Sequence, residues 1–467
     1  MEKRLDRAVS ENALLAVAVR AAGKAGTPAF LVGGAVRDLL MGRVPVDLDL
    51  ACENAQEAAG RAAHILGSRV VAMGRGRLRS WRVPAGERFL DWVLLAPGGL
   101  LADLERRDFT VDAMALNLES NVLMDPYGGL DDLSARILRM TSPKALIQDP
   151  LRVLRGYRLL ATLDGFSLDG PTGDAMAERA RDLSKMAVER VRHELELIFE
   201  SPAPGGIVRS MAESGVLCAI LPELEPLRGL TQNEHHHADA LEHTLEALEA
   251  LDGPPAWLGD MGLARPEAKS LLVLRAAALL HDLGKARTRT VDDAGRVHFY
   301  GHPKISADLA RQALRRLRFS RESEDAVCAL CLNHLRPLGL LKSGARRTSL
   351  RRLVHDLGDL LPLLLALSYA DKSASRGPAH AENLAGLRDI AARALEVARS
   401  DGEDLRRLPK LVNGLEALDI LGMSHPGSDL GRALDALMER QVAGEVTDRE
   451  SALGFLRRYR EKHNSGT

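Results

Sequence analysis

The chain has 467 residues, 46% apolar and 27% charged, with a formal net charge of −1. That length exceeds one compact core and predicts about two to four domains, and the composition excludes a disordered chain. The near-neutral charge excludes a globally basic nucleic-acid binder, so any such contact must rest on local patches.

Glu2, Asp6 and Glu11 interrupt the apolar residues of the N-terminus, which predicts an amphipathic helix rather than a signal peptide. Strand signals follow at "AFLVGG" (29–34), "VDLDLA" (46–51), "RVVAMG" (69–74), "RFLDWVLLA" (88–96) and "DAMALNL" (112–118). They alternate with helical stretches such as "AQEAAGRAAHIL" (55–66). From "QDPLRVLRGYRLLATL" (148–163) onward the periodicity is helical. Breaks at "SPAPGG", "LDGPPAW" and "SRGPAH" divide this half. The expectation is an α+β chain: a sheet domain over 1–140, an all-α neck over 141–225, a helical domain over 226–390 and a helical tail over 391–467. The longest apolar run, "LLPLLLALSYA", is short of the ~20 residues that span a bilayer, so a cytoplasmic protein is expected. Of the cysteines Cys52, Cys218, Cys328 and Cys331, the last two form a C-x-x-C without a second such pair. Two buried thiols on a helix fit better than a zinc site, and the sparse usage suits a reducing compartment.

The first chemistry is in "FLVGGAVRDLLMGRVPVDLDLAC" (30–52). On a strand, period two puts Asp47 and Asp49 on one face. Paired carboxylates are costly unless a cation completes them, and Mg2+ favours a few carboxylates plus substrate phosphates. The Gly33–Gly34 turn lets backbone N–H groups approach a triphosphate, and Arg37 adds charge. A chance coincidence explains either feature alone better than it explains both in this order. Asp91 is a weak candidate for a third carboxylate.

Further motifs are "ERRDFTVDAMALN" (105–117), "DPYGGLDDL" (125–133), "QDPLRVLRGYRLL" (148–160) and "ERVRHELELIF" (189–199). With these the first half resembles the class II tRNA nucleotidyltransferase and poly(A) polymerase family of the polymerase-β superfamily. The resemblance implies that Gly34 and Arg37 contact the nucleotide and that Asp47 and Asp49 bind catalytic Mg2+. It places Arg107 near the triphosphate or ribose, and Asp149, Arg152, Arg155 and Arg158 on a nucleotide-selecting helix. The three arginines recur every third residue on one side, opposite Val153, Leu154, Tyr157 and Leu160. An aspartate can accept the exocyclic amine of cytosine or adenine, whereas uracil and guanine present another acceptor there. Two positions depart from the family pattern: Gln148 replaces a usual Glu, and Asp112 replaces the Asn of "RRDFT-x-N".

In the helical half His243, His281, Asp282, His302, His334 and Asp371 fall on predicted helices or their ends. Imidazole and carboxylate donors suit Mn, Ni, Fe or Zn. "HDLGK" and "HFYGH" resemble an HD-domain phosphohydrolase. That likeness implies a core set of His243, His281, Asp282 and Asp371, with His302 and His334 serving a second metal and Lys285 a phosphate. His235–His237 is expected to be surface, and the tail resembles the tRNA-holding segment of HD-containing members.

The implied function is template-free addition of cytidines from CTP to the tRNA 3′ end, with ATP used too if the full CCA is made. The aspartates would hold two metals, one acting on the 3′-OH and one on the pyrophosphate. Alternatives are a poly(A) polymerase, a phosphohydrolase with an RNA-binding N-terminal half, and a non-catalytic scaffold. Between Asp91 and Arg107 only a short connection, turning at Pro97–Gly98–Gly99, stands where CCA-completing members carry a long flexible loop. The expectation is therefore an enzyme that adds two cytidines and leaves the adenosine to a partner enzyme.

Overall fold

The computed structural model describes residues 12–23, 28–74, 79–95, 97–232, 238–253, 259, 267–377 and 379–464. The N-terminal acidic residues, His235–His237 and most of "LDGPPAW" lie outside these. The chain forms two compact units. One runs to Ile198 and includes Ser210–Ile220; the other comprises Phe199–Arg209 and the chain from Leu221 onward.

The first unit holds a mixed seven-stranded sheet. Its strands are β1 (Ala29–Val32), β2 (Asp47–Cys52), β3 (Val71–Met73), β4 (Ser80–Ala85), β5 (Arg88–Leu94), β6 (Ala115–Asn117) and β7 (Leu123–Met124). They lie in the order β3-β4-β5-β2-β1-β6-β7. The β2–β5 pair is parallel and the others antiparallel. Strand β4 lies between β3 and β5 although its Pro84 reads as a breaker; Pro84 sits near the hairpin end, opposite Phe89. Leu48 and Leu50 of β2 are buried while Asp47 and Asp49 point to the open face. Burying each leucine contributes about 1.5–3 kcal/mol, so a one-residue slip that buried the aspartates instead is strongly disfavoured. The Ala55–Leu66 helix turns Ala55, Ala58, Ala59, Ala62 and Ala63 inward, a small-residue face that packs closely on the sheet. Gly67 ends it in the left-handed conformation at φ 61°.

After the sheet, the Arg152–Thr162 helix buries Val153, Leu154, Gly156, Tyr157 and Leu159. Leu160, expected on this apolar face, is only half buried, and Leu159 takes its place. A Cβ on Gly156 would come within 2.8 Å of Phe109, so the glycine lets the helix lie on the "RRDF" segment.

Among the described residues the second unit is helical apart from the hairpin β8–β9 (Arg289–Val291 and Val297–Phe299). Cys328 and Cys331 are buried free thiols on the Arg321–Asn333 helix, as expected. The apolar run at 360–370 belongs to a longer helical stretch, Arg347–Ser373, that by length and composition alone could cross a membrane. This corrects the expectation of a short segment, but 61% of its most apolar window is buried inside the protein. It is a core element bent at Gly358. The tail helices Gly414–Leu421, Ser428–Ala443 and Arg449–Asn464 share a core of their own around Ala433 and Leu456.

Candidate functional site

At the open face of the sheet, Gly33 joins β1 to the Gly34–Leu40 helix with φ 76°. A Cβ there would lie 2.4 Å from Arg107 Nη1 and 3.7 Å from Asp49 Oδ2. Only glycine admits the arginine so close to the aspartate. A Cβ on Gly34 would meet Arg37 Nη2 at 3.1 Å, so both arginines lean on the glycine turn. Asp49 keeps solvent-accessible area yet is crowded by surrounding protein atoms. Its pKa is raised, first by desolvation, with Arg107 opposing and Asp91 and Asp47 adding to the rise. A carboxylate whose charge is poorly compensated suits a bound cation.

Asp91 stands directly opposite Asp49 in the β2–β5 register. Both of its oxygens are already taken: Arg82 Nε donates at 2.8 Å and Nη2 at 2.7 Å. Arg82 escaped the sequence reading because it lies on the unrecognised strand β4. The "DPYGGLDDL" motif is a brace. Asp125 accepts the N–H groups of Gly129 and Leu130, and a Cβ on Gly129 would strike the Thr110 carbonyl at 2.3 Å. The motif thereby supports the Thr110–Asp112 turn behind the aspartates.

Asp149 ends the Pro143–Gln148 helix, and its Oδ2 accepts from Arg190 at 2.8 Å. Arg152 Nη1 donates to the Ala145 carbonyl at 2.9 Å. Arg155 pairs with buried Asp108 at 3.0 Å and Arg158 with Glu194 at 2.8 Å. Thus two of the three arginines are tied to carboxylates, and Asp149 and Arg152 each hold a protein partner. Arg190, Asp108 and Glu194 lie in motifs the sequence showed, but their pairing did not follow from spacing.

The second unit gathers all six expected ligands. His243 sits on the Ala240–Glu249 helix and Asp371 on the Leu361–Ser373 helix, while His302 opens His302–Arg316. His281 and His334 each cap the end of a helix. Two groups of ligand atoms converge: His243, His281, Asp282 and Asp371, then Asp282, His302 and His334. Asp282 is common to both. Its Oδ2 lies 3.2 Å from His281 Nε2, and its Oδ1 lies 3.2 Å from His302 Nε2.

The tautomers follow from the outer contacts. Nδ1 of His281, His302 and His334 lies 2.7–2.8 Å from the carbonyls of Ala278, Phe299 and Cys331. A carbonyl can only accept, so Nδ1 carries a proton and Nε2 points inward, where it offers its lone pair once any second proton has left. His302 and His334 then face each other Nε2 to Nε2 at 3.3 Å. Two opposed lone pairs at that distance require a positive charge between or beside them. His281 Nε2 and Asp282 Oδ1 are buried and make no hydrogen bond. Burial and then the neighbouring His281 hold His334 down to about 3, the neutral form that ligates. This donor set fits divalent metal. Lys285, expected at a phosphate, lies 2.6 Å from Asp282 Oδ2 beside the ligand cluster and donates to Gln232.

Fold and sites together define a nucleotidyltransferase head joined to a helical HD unit. Comparison with known proteins agrees. The family described as "Poly A polymerase head domain" matches residues 29–76 and 79–139, "Probable RNA and SrmB-binding site of polymerase A" matches 165–227, and "HD domain" matches 241–374. The A-adding tRNA nucleotidyltransferase of Deinococcus radiodurans is 39% identical over 93% of this chain and 96% of its own. The CC-adding tRNA nucleotidyltransferase of Thermus thermophilus is 40% identical over 94% and 96%. The Thermotoga maritima CCA-adding enzyme in complex with tRNA shares the fold, with a TM-score of 0.62 at 20% identity over 97% of this chain and 98% of that one. The chain belongs to the tRNA nucleotidyltransferase family with a poly(A) polymerase-type head and an HD domain.

Proposed function

We propose that this enzyme adds the two cytidines of the tRNA 3′ end from CTP, without a nucleic-acid template, and stops before the adenosine. The supporting observation is the connection after β5. The strand ends at Leu94 and the next helix, Gly99–Glu105, begins five residues on and leads to Arg107. The connection is a short turn followed by a seven-residue helix rather than a long flexible loop, and this compactness supports a pocket that keeps its cytosine setting. Relatives named A-adding and CC-adding are almost equally similar, so overall identity does not choose between them. The test supplies CTP and ATP together to tRNA lacking its terminal triplet, and separately to tRNA ending in CC. Termination at CC on the first substrate and no extension of the second is expected. Full CCA ends, or adenosine added to the CC substrate, would overturn the reading.

In this reading Asp47 and Asp49 hold Mg2+, which when bound supplies the Lewis acid for attack of the 3′-OH and release of pyrophosphate. Gly33, Gly34, Arg37 and Arg107 receive the triphosphate. Asp149 and Arg152 read the base, Arg155 and Arg158 set the pose of their helix through Asp108 and Glu194, and Arg190 occupies Asp149 until cytosine replaces it. Residues 1–140 act as the catalytic head, 141–225 as the selecting neck and 391–467 as a tRNA-holding tail. Asp149→Ala should raise UTP incorporation relative to CTP by about ten-fold or more, because the unpaired acceptor carries the rejection. The check is a competition assay with both triphosphates; an unchanged ratio places selection elsewhere.

The HD unit is a second catalytic centre, a phosphohydrolase. His243, His281, Asp282 and Asp371 hold one divalent transition metal, and His302 and His334 hold a second through Asp282. Its substrates are phosphoesters such as the cyclic phosphates of RNA ends.

A further inference from the structure

Asp112 closes the stretch "ERRDFTVD", and the structure shows what the position does. Asp112 is 4% exposed on the turn behind the paired aspartates. Its Oδ1 accepts from Arg37 Nη1 at 2.6 Å. From the other side Asp38 Oδ1 accepts from Arg37 Nε at 3.0 Å and Nη2 at 2.9 Å. The guanidinium is therefore gripped along two edges, with Nη2 against Gly34. The backbone carbonyl of Asp112 also accepts from Arg107 Nη1 at 3.5 Å. One buried residue thus touches both arginines that lean on the glycine turn.

We propose that Asp112 is a positioning residue for nucleotide addition: it fixes the Arg37 guanidinium against the Gly33–Gly34 turn so that its remaining N–H donors face the incoming triphosphate. What the position requires is an acceptor aimed at Nη1, not a charge. The Oδ1 of asparagine would supply the same acceptor at the same reach. Without an acceptor the buried Nη1 is left unsatisfied, and the side chain turns to find another partner. Asp112 does not touch substrate, so its loss acts on nucleotide capture and not on the chemical step.

The inference rests on the reading of this head as the CTP-using site, and the test separates the two. Full-length Asp112→Ala, Asp112→Asn, Arg37→Ala and the Arg37→Ala/Asp112→Ala double variant are assayed for cytidine addition to tRNA lacking its 3′ triplet, with thermal unfolding as a control. Asp112→Ala should raise KM for CTP about ten-fold while kcat changes about three-fold or less, as expected for lost orientation of one binding group. Asp112→Asn should return KM to within about two-fold of the parent, and in the Arg37→Ala background Asp112→Ala should add less than about two-fold. If the alanine variant does not fold, Asp112→Ser, whose hydroxyl is too short to reach Nη1, takes its place against Asp112→Asn. An asparagine variant as impaired as the alanine one, additive effects with Arg37→Ala, or an unchanged KM in a folded alanine variant would each overturn the proposal. A parent protein that adds no cytidine would overturn the functional reading and this inference with it. An active parent with indifferent Asp112 variants would overturn this inference alone.

Discussion

Asp47→Ala and Asp49→Ala should each lower nucleotide addition by about 10³-fold or more, because activation by a bound metal contributes several kcal/mol to the transition state. The two positions are exposed on one face of β2 while Leu48 and Leu50 anchor the strand in the core, so neither change disturbs packing. Asp49 carries an electrostatic load of its own. Desolvation raises its pKa and Arg107 only partly compensates, so without a cation its charge is poorly matched. Asp91→Asn supplies an internal contrast. Although it faces Asp49 across the strands, both of its oxygens are held by Arg82, and its replacement should cost far less activity than loss of Asp49. Cytidine addition measured at saturating Mg2+, beside thermal unfolding as a folding control, checks the assignment. Near-parental addition by either alanine variant would refute metal binding by the pair, and equal damage from Asp91→Asn would make it a third ligand.

The phosphohydrolase proposed for the HD unit predicts that His281→Ala and Asp282→Ala abolish metal-stimulated phosphoester hydrolysis and leave nucleotide addition intact. Asp282 belongs to both ligand groups, so its loss should reduce bound metal at both positions, whereas His302→Ala should affect only one. Metal content per chain distinguishes these outcomes directly. The pH dependence has a definite sign. Burial alone would lower the His281 pKa, but the adjacent carboxylates Asp282 and Asp371 outweigh it and raise the group to about 10. A metal must therefore displace a proton from His281 at neutral pH, and apparent metal affinity should weaken by about ten-fold for each pH unit lowered, per proton released. In the metal-free protein the same raised pKa stabilises the fold fully below the unfolded value of about 6.5. That contribution is lost as pH rises toward about 10. Affinity that does not vary between pH 6 and 8 would show that His281 is not a ligand. Loss of nucleotide addition in the same variants would indicate misfolding or a single shared site.

The sequence by itself determined whatever depends on near neighbours. The Asp-x-Asp face follows from strand period two, and the Ala55–Leu66 helix follows from its alanine spacing and the glycine that ends it. The histidines and aspartates of the HD unit were legible as residue types on helices or at their ends. Strand β4 was not, because Pro84 argues against a strand and only its pairing with β3 and β5 overrides that local preference. The exchange of Leu160 for Leu159 had the same origin, since the face of a helix that is buried depends on what packs against it. Tertiary structure alone decided which charges meet. Arg37 reaches Asp112 across 75 residues, Arg190 reaches Asp149 across 41, and His243 reaches Asp371 across 128. It also decided that Asp282 is shared by two ligand groups while Asp91 is spoken for by Arg82. The physical reason is range: backbone periodicity and turn chemistry act over a few residues, whereas an ion pair depends on distance in space, which spacing along a chain does not fix.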